Sequence, residues 1–384
     1  MERVLITGGA GFIGSHLAQR LLAAGYGVRI FDNLAPQVHG AAAERSGRVA
    51  GGAEVLVGDV RSPAAVRQAL DGVQAVVHLA AAVGVGQSMY RITEYAAANV
   101  QGTAVVLQAV LSALRAARRA GKRRHAGGQV RRLLVASSMS VYGEGAYQCP
   151  RCGPVAMGAR GRAQLERQEW EALCPRCGAV ARAEPTREEK AADPHSIYAV
   201  TKLAQEQMVR CFGQAYGMPA VALRFFNVYG PGQSLGNPYT GVAALFSARL
   251  LAGQTLPIYE DGGQQRDFVN VRDVARACQL ALQAGVSGTF NIASGQPVTI
   301  AALAGELAAA LGRPPHIVQT GAYRMGDVRH CLADPTAARR QLGFVAEVAR
   351  GQGLAELAAW LSAQPPVRPA ETAAEELRSY GLGG

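Results

Sequence analysis

An apolar run, Val4-Leu5-Ile6-Thr7, passes directly into Gly8-Gly9-Ala10-Gly11-Phe12-Ile13-Gly14 and then into an apolar-periodic segment. Strand, tight turn and helix start in that order constrain the fold more than any other stretch of the chain. They form the arrangement that holds a dinucleotide pyrophosphate against the free N–H groups of a helix N-terminus. Gly8 permits the turn, Gly11 lets the backbone approach the phosphates, and Gly14 lets the helix pack close to the sheet. Phe12 and Ile13 open that helix. An acid, Asp32, ends the next apolar run, Val28-Arg29-Ile30-Phe31, and Asn33 follows it.

The first 140 residues alternate strand and helix. The pattern predicts strands at 3–7, 28–32, 54–58, 75–79 and 132–137, with helices at 12–24, 63–70 and 93–119. A helix from Tyr198 to Tyr216 and a strand from Ala220 to Phe225 follow. Such alternation implies an α/β fold, a Rossmann-type doubly wound parallel sheet. Beyond Pro231 the segments become mixed, which suggests a smaller C-terminal substrate-binding domain. The organisation reads as a dinucleotide-binding domain over 1–143, an insertion over 144–190, and the remainder of the first domain over 191–230. A mainly substrate-binding part follows over 231–363, some of whose segments can return to the sheet, and then a loosely attached tail over 364–384.

Composition narrows the function classes. The chain has 384 residues, 49% of them hydrophobic, enough for a large core. No apolar run long enough to cross a membrane and no leader before the first strand are read, so a cytoplasmic enzyme is expected. The formal charge is +11, almost all from arginine, since the only lysines are Lys122, Lys190 and Lys202. The densest cluster, Arg115, Arg118, Arg119, Lys122, Arg123, Arg124, Arg131 and Arg132, reads as a solvated helix end and loop rather than a nucleic-acid surface. An anionic substrate accounts for part of the balance. Cys211, Cys278 and Cys331 are expected to be small buried hydrophobes.

The strand Leu133-Leu134-Val135-Ala136 ends in Ser137-Ser138-Met139-Ser140, and Tyr198-Ala199-Val200-Thr201-Lys202 comes much later. Residues four apart share a helix face, so Tyr198 and Lys202 can address one ligand. A free tyrosine has a pKa of about 10. A neighbouring ammonium and a cationic nicotinamide would both favour its phenolate, which makes Tyr198 a workable base. A serine at the carboxyl end of a strand can bind the same substrate oxygen.

Together these motifs resemble the extended short-chain dehydrogenase/reductase family, the nucleotide-sugar epimerases and dehydratases, over roughly residues 3–360 apart from an insertion. The resemblance implies that Ser138, Tyr198 and Lys202 are catalytic. It implies that Asp32 holds the adenosine ribose and favours NAD over NADP, and that Asp59 and Val60 meet the adenine. His78-Leu79-Ala80-Ala81-Ala82 matches the strand that lines the cofactor, and Asn99 matches a buried structural asparagine. With Phe12, Ile13 and Asn33, these residues complete the expected cofactor site. On the substrate side, Asn227 matches a nucleotide-sugar contact. Arg266, in Arg266-Asp267-Phe268-Val269, and Arg324 with Asp327 match diphosphate contacts, a task that suits the planar fork of arginine. Asn270 stands where many relatives have His. Helices like those near 93–119 and 198–216 pair into a dimer interface in relatives, so a homodimer is expected.

The residues after Ser138 choose among reactions. Relatives that dehydrate their sugars carry acids at the places of Met139 and Ser140, and neither residue here can act as one. What remains is chemistry needing one hydride and one proton at a carbinol carbon, which implies 4-epimerisation through a transient 4-keto sugar with NAD regenerated in place. Cys149-Pro150-Arg151-Cys152-Gly153 and Cys174-Pro175-Arg176-Cys177-Gly178 form two knuckles whose spacing points to one structural zinc, preferred over disulfides or a redox pair. The insertion that carries them joins two catalytic segments and is expected to form a flap over the sugar. With Gly84–Tyr90, Asn237–Gly241 and Gly326–Cys331, the ribbon resembles the bacterial dTDP-L-rhamnose 4-epimerase branch. UDP-glucuronate or UDP-glucose 4-epimerisation is the alternative. A dehydratase, a net oxidoreductase, or a non-catalytic NAD-binding protein that recognises nucleic acid stands behind it.

Overall fold

The computed structural model describes residues 1–40, 51–119, 129–233, 241–364 and 372–383. Its centre is a seven-stranded sheet in the order Gly288–Ile292, Ala220–Phe225, Arg132–Ser138, Ala75–His78, Arg3–Thr7, Gly27–Asp32, Glu54–Val57. Every neighbouring pair is parallel. Parallel strands are covered on both faces, which is why these segments read as continuous apolar runs. One face packs Leu17 and Leu21 of helix Phe12–Ala23 against Val274 and Cys278 of helix Val271–Ala284. The other packs Val66, Val106, Val110, Val209 and Phe212 from helices Pro63–Ala69, Gly102–Arg119 and Ile197–Tyr216. Part of the late segment 231–363 therefore lies in the sheet layer. Strand order reverses between Arg3–Thr7 and Ala75–His78, where Thr7 pairs with His78. The crevice outside the carboxyl ends at such a reversal is where ligands of open α/β sheets bind.

A second sheet runs Asn227–Tyr229, Gln265–Asn270, His330–Ala333, Arg182–Thr186, Ala146–Cys149, Gly153–Val155. The last three of these strands belong to the insertion. It is thus built into the second sheet, with Leu332 opposite Pro185 in parallel register. Buried charges fasten it further. Arg160 donates to both carboxylate oxygens of Glu260, at 2.9 and 2.8 Å, and Arg329 Nη1 reaches the same carboxylate at 3.0 Å. Glu144 accepts from the backbone N–H groups of Arg329 and His330.

Several expectations change. The predicted helix over 93–119 is three pieces: α-helix Ile92–Tyr95, π-helix Ala96–Gln101 and α-helix Gly102–Arg119. The wider π turn carries Asn99, and nothing in the spacing Ala-Ala-Ala-Asn-Val-Gln announces it. This continuous run, Ile92–Arg119, is long and apolar enough by those two criteria to cross a membrane, contrary to the sequence reading. Here it is a core element, with Val106 and Val110 buried in the sheet-facing cluster. Cys211 is exposed on its helix, not buried, while Cys278 and Cys331 are buried. The tail is not loose among its described residues. Helix Thr372–Ser379 and the turn after it pack against two loops of the body, with Leu377 buried. Lys122–Arg124 and Asn237–Thr240 lie outside the described residues.

Candidate active site

A cavity of about 830 Å³ opens at the reversal point, within the size range of small-molecule sites. Its wall includes Gly8, Gly11, Phe12, Ile13, Gly14, Asp32, Asn33, Asp59, Val60, Leu79, Ala80 and Ala81 at one end. Ser138, Tyr198 and Lys202 lie along it, and Asn227, Arg266, Arg324 and Asp327 line the other end. Of the residues singled out from sequence for this site, His78 and Asn99 do not line it. Asn99 is fully buried behind the wall, where its amide bonds Ala82 N–H at 2.7 Å, Ala82 C=O at 3.1 Å and Thr201 Oγ1 at 2.9 Å. Asn99 thereby ties the cavity-lining segment to the Tyr/Lys helix.

The glycine turn is built by close approach. Gly8 sits at φ +69°, and a Cβ there would lie 2.8 Å from Ala80 N. A Cβ on Gly14 would collide with Gly8 O. Gly11 caps the following helix and its carbonyl accepts from Ser15 N–H at 2.9 Å. Asp32 accepts from Ala10 N–H at 3.1 Å and Leu34 N–H at 2.9 Å, with His39 Nε2 at 3.4 Å. A carboxylate has about four lone-pair sites, so capacity remains for hydroxyls of a bound ribose. Asp59 is engaged by its neighbour: Arg61 donates from Nε at 2.9 Å and Nη2 at 2.6 Å, which holds the Asp59 carboxyl below its ordinary range. These features fit a dinucleotide: a phosphate turn without side chains, then an anchored acid after the second strand.

Strand Arg132–Ser138 delivers Ser138, whose hydroxyl caps the 3₁₀ turn Met139–Tyr142. Ser138 Oγ accepts from Ser140 N–H at 3.2 Å and from the Ser140 hydroxyl at 2.9 Å. Those bonds fix its acceptor side and leave its own proton for another oxygen. Helix Ile197–Tyr216 starts where it does because Ser196 accepts from Ala199 N–H at 3.1 Å, the usual N-cap bond. That start puts Tyr198 and Lys202 on one face, one turn apart. Burial pushes the Tyr198 phenol up, and its hydrogen bond with Ser138 draws it back. Burial pushes the Lys202 ammonium down to about 7, against the pull of Glu206. Lys202 Nζ donates to Gln205 Oε1 at 2.7 Å, and Gln205 Nε2 donates to Thr103 Oγ1 at 2.8 Å. Thr103 in turn lies 3.0 Å from His78 Nε2, and burial depresses His78 to about 3, so this imidazole is neutral. The sequence signalled Tyr198 and Lys202 by spacing; Ser140 and Gln205 carried no such signal.

At the far end, Arg266 donates to Arg329 O at 2.9 Å, to Val328 O, and to Asp327 Oδ1 at 3.4 Å. The Arg324 guanidinium stacks 4.5 Å from the Tyr259 ring centre. Five buried side-chain atoms of this wall have no hydrogen-bond partner among the described residues: Asn227 Oδ1, Gln233 Oε1, Arg249 Nε, Gln264 Oε1 and Arg324 Nε. Buried polar atoms are rarely left so, and their gathering in one wall marks a place shaped for a polar ligand. Arg249, Gln233 and Gln264 were not singled out from sequence. Asn270, the departure from the family pattern, caps helix Val271–Ala284 by accepting from Arg272 N–H at 2.9 Å.

The four cysteines Cys149, Cys152, Cys174 and Cys177 converge, with all four Sγ atoms within 4.8 Å of one another and none in a disulfide. A zinc–sulfur bond of about 2.3 Å sets the edge of a tetrahedron at about 3.8 Å, and Cys149 Sγ lies 3.6 Å from Cys177 Sγ. The donor set fits a closed zinc shell. Contrary to the flap expectation, no residue of 144–190 lines the cavity. The insertion sits behind the substrate end and braces it, because Arg160 Nη2 also donates to Asp327 O at 3.2 Å.

A glycine turn, an anchored acid and a Ser-Tyr-Lys set around one cavity define a class of enzyme. The chain belongs to the NAD dependent epimerase/dehydratase family, whose model matches residues 4–157 and 174–293. The gap between the two matched stretches falls inside the insertion. Among individual proteins it is similar to a dTDP-L-rhamnose 4-epimerase of Burkholderia thailandensis, 39% identical over 94% of this chain and 95% of that protein. It is also similar to the crystal structure of the Thermus thermophilus UDP-glucose 4-epimerase in complex with NAD. That pair has a TM-score of 0.71 at 28% identity, covering 94% of this chain and all of the other. The Thermotoga maritima UDP-glucose 4-epimerase with UDP-glucose gives a TM-score of 0.74 at 27% identity, over 94% and 98% of the two chains.

Proposed function

We propose that the chain is an NAD-dependent nucleotide-sugar 4-epimerase that interconverts dTDP-L-rhamnose and its C4 epimer. The observation that carries this reading is the convergence of Ser138, Tyr198 and Lys202 on one cavity with Met139 and Ser140, not acids, beside them. The 39% identical relative over nearly the whole chain supports the choice of sugar.

NAD, when bound, would supply reversible hydride transfer at C4 of the sugar. The Gly8–Gly14 turn would hold the pyrophosphate, and Asp32 the adenosine ribose. Tyr198 takes the proton of the 4-hydroxyl and gives it back. Lys202, one helical turn away, favours the phenolate in its protonated form. Ser138 donates to the same sugar oxygen, its acceptor side being occupied by Ser140. Between the two hydride transfers the 4-keto sugar must turn over within the cavity, so its anchor has to be the diphosphate. Arg266 and Arg324 are suited to that end by their charge, Asn227 by the unpaired atoms it shares with its neighbours, and Asp327 by its hold on Arg266 at 3.4 Å. No side chain at 139 or 140 can remove a second proton or expel a hydroxyl, so the reaction stops at epimerisation.

The four thiolates would hold one structural zinc with no open position, leaving the metal no part in the chemistry. A cytoplasmic homodimer formed through the helices 102–119 and 197–216 completes the proposal. The test is incubation with dTDP-L-rhamnose and a panel of dTDP-, UDP- and GDP-sugars, read by NMR. Appearance of the C4 epimer without build-up of NADH is expected. Stoichiometric NADH, or turnover of UDP-sugars alone, would overturn the reading.

A further inference from the structure

The sequence Glu376-Leu377-Arg378-Ser379-Tyr380-Gly381-Leu382 ends a helix in a specific way. Gly381 takes φ +69°, its N–H bonds Arg378 O at 2.9 Å, and Leu382 N–H bonds Leu377 O at 2.9 Å. This is the Schellman ending, in which a left-handed glycine folds the next residue back against the helix. It brings Leu382 beside Leu377, and both residues line the cavity.

The segment is fastened at both ends to parts of the site. On one side it meets the loop 84–90. Leu377 lies so close to Gly86 that a Cβ there would be 3.0 Å from its methyl carbon. Tyr380 stacks on Tyr90 with ring centres 4.6 Å apart and planes 7° apart, and the Tyr90 hydroxyl bonds Glu376. That loop is itself tied to the catalytic helix, since Tyr198 N–H donates to Ser88 Oγ at 2.9 Å. On the other side Met325 N–H donates to Leu382 O at 3.1 Å, and Gly383 pairs with Arg324. The two leucines thus span the interval between the residue assigned to C4 and the arginine assigned to the diphosphate. A hexose ring held between those points would face them.

We propose that the C-terminal segment 376–383 is a wall of the substrate site, and that Leu377 and Leu382 select a 6-deoxy sugar over its 6-hydroxy counterpart. The proposal rests on the nucleotide-sugar reading above. A C6 methyl group meets apolar carbon there, whereas a C6 hydroxyl would give up water and gain no partner. A hydrophobic pocket rejects an added hydroxyl by up to roughly 10²-fold.

The test compares the full-length protein with a chain ending at Gln364 and with Leu377→Ala and Leu382→Ala. Binding of dTDP-L-rhamnose and of its 6-hydroxy counterpart, dTDP-L-mannose, is measured by calorimetry, beside KM, kcat and bound NAD. Each change is expected to raise KM and Kd for the 6-deoxy sugar at least fivefold, with kcat within about threefold and NAD content unchanged. The preference over dTDP-L-mannose should narrow. Unchanged Kd and KM in both point variants would overturn the proposal, even if the shortened chain fails to fold. If the full-length protein binds dTDP-L-rhamnose without epimerising it, the functional reading falls while the Kd values still decide the wall. If it binds no nucleotide sugar, both fall.

Discussion

Arg160→Leu tests whether the inserted ribbon braces the substrate end. Arg160 and Glu260 form a two-pronged pair whose side chains are 4% and 1% exposed. Arg160 also donates to Trp170 O at 3.0 Å and to Asp327 O. Breaking a buried pair by removing one partner costs about 3–5 kcal/mol, because the remaining charge is left buried. Glu260 keeps Arg329 at 3.0 Å, so the low end, about 3 kcal/mol, is expected. That corresponds to roughly a 10²-fold shift in the attached-to-detached ratio of the ribbon. Only Trp170 and Trp360 are present. In a Trp360→Phe background Trp170, inside the ribbon, therefore reports its detachment in urea. The midpoint for Trp170 should fall, and KM for the sugar should rise severalfold as the Asp327 turn loosens. Bound NAD should stay constant, since no ribbon residue lines the cavity. Replacing both partners, Arg160→Leu with Glu260→Leu, should lose less than the single change. A Trp170 midpoint that does not move, or a double variant as damaged as the sum of the singles, would refute the bracing argument.

Tyr198→Phe should lower kcat by about 10²–10⁴, the usual worth of a general acid–base group, with NAD still bound by content analysis. Gly8→Ala forces a Cβ to within 2.8 Å of Ala80 N at φ +69° and should yield protein lacking NAD on extraction. Lys202 has a lowered pKa, so between about pH 7 and pH 10 the unfolded chain binds more protons than the folded one. Stability of the NAD-free protein should therefore rise with pH across that window, and the rise should vanish in Lys202→Met by urea unfolding. Cys177→Ser should remove close to one zinc per chain by elemental analysis and reduce the heat stability of the ribbon.

What was legible in the sequence was local. The phosphate turn, the acid after the second strand, the Tyr198–Lys202 spacing and the two cysteine knuckles each lie within a few residues, where geometry follows from the covalent chain. Asn99 was legible as a buried asparagine but not as a π-turn residue, because one extra residue per turn leaves no mark in an alanine-rich run. Ser140 was weighed only as an absent acid. Its use as the donor that orients Ser138 depends on a 3₁₀ turn that few sequence patterns specify. The convergence of the four cysteines was legible, whereas the docking of the ribbon was not, since Arg160 and Glu260 are a hundred residues apart and arginine in a glycine-rich stretch reads as surface.

The tail and the ribbon, the two segments whose docking the sequence left unsaid, meet the same short turn from different sides. Leu382 and Gly383 hold the backbone at Met325 and Arg324, and Arg160 holds Asp327 O. Between them Gly326 sits at φ +77°, and a Cβ there would lie 2.8 Å from His195 O, in the segment leading to Tyr198. The turn that carries the proposed diphosphate contacts is thus fixed by three stretches of chain, none adjacent to it in sequence. An enzyme that must release a keto sugar to rotate, yet never lose it, needs its anchor rigid while the ring is free. Fastening Arg324–Asp327 to the ribbon, the C-terminal segment and the approach to the catalytic helix supplies that rigidity where the ring itself makes few fixed bonds.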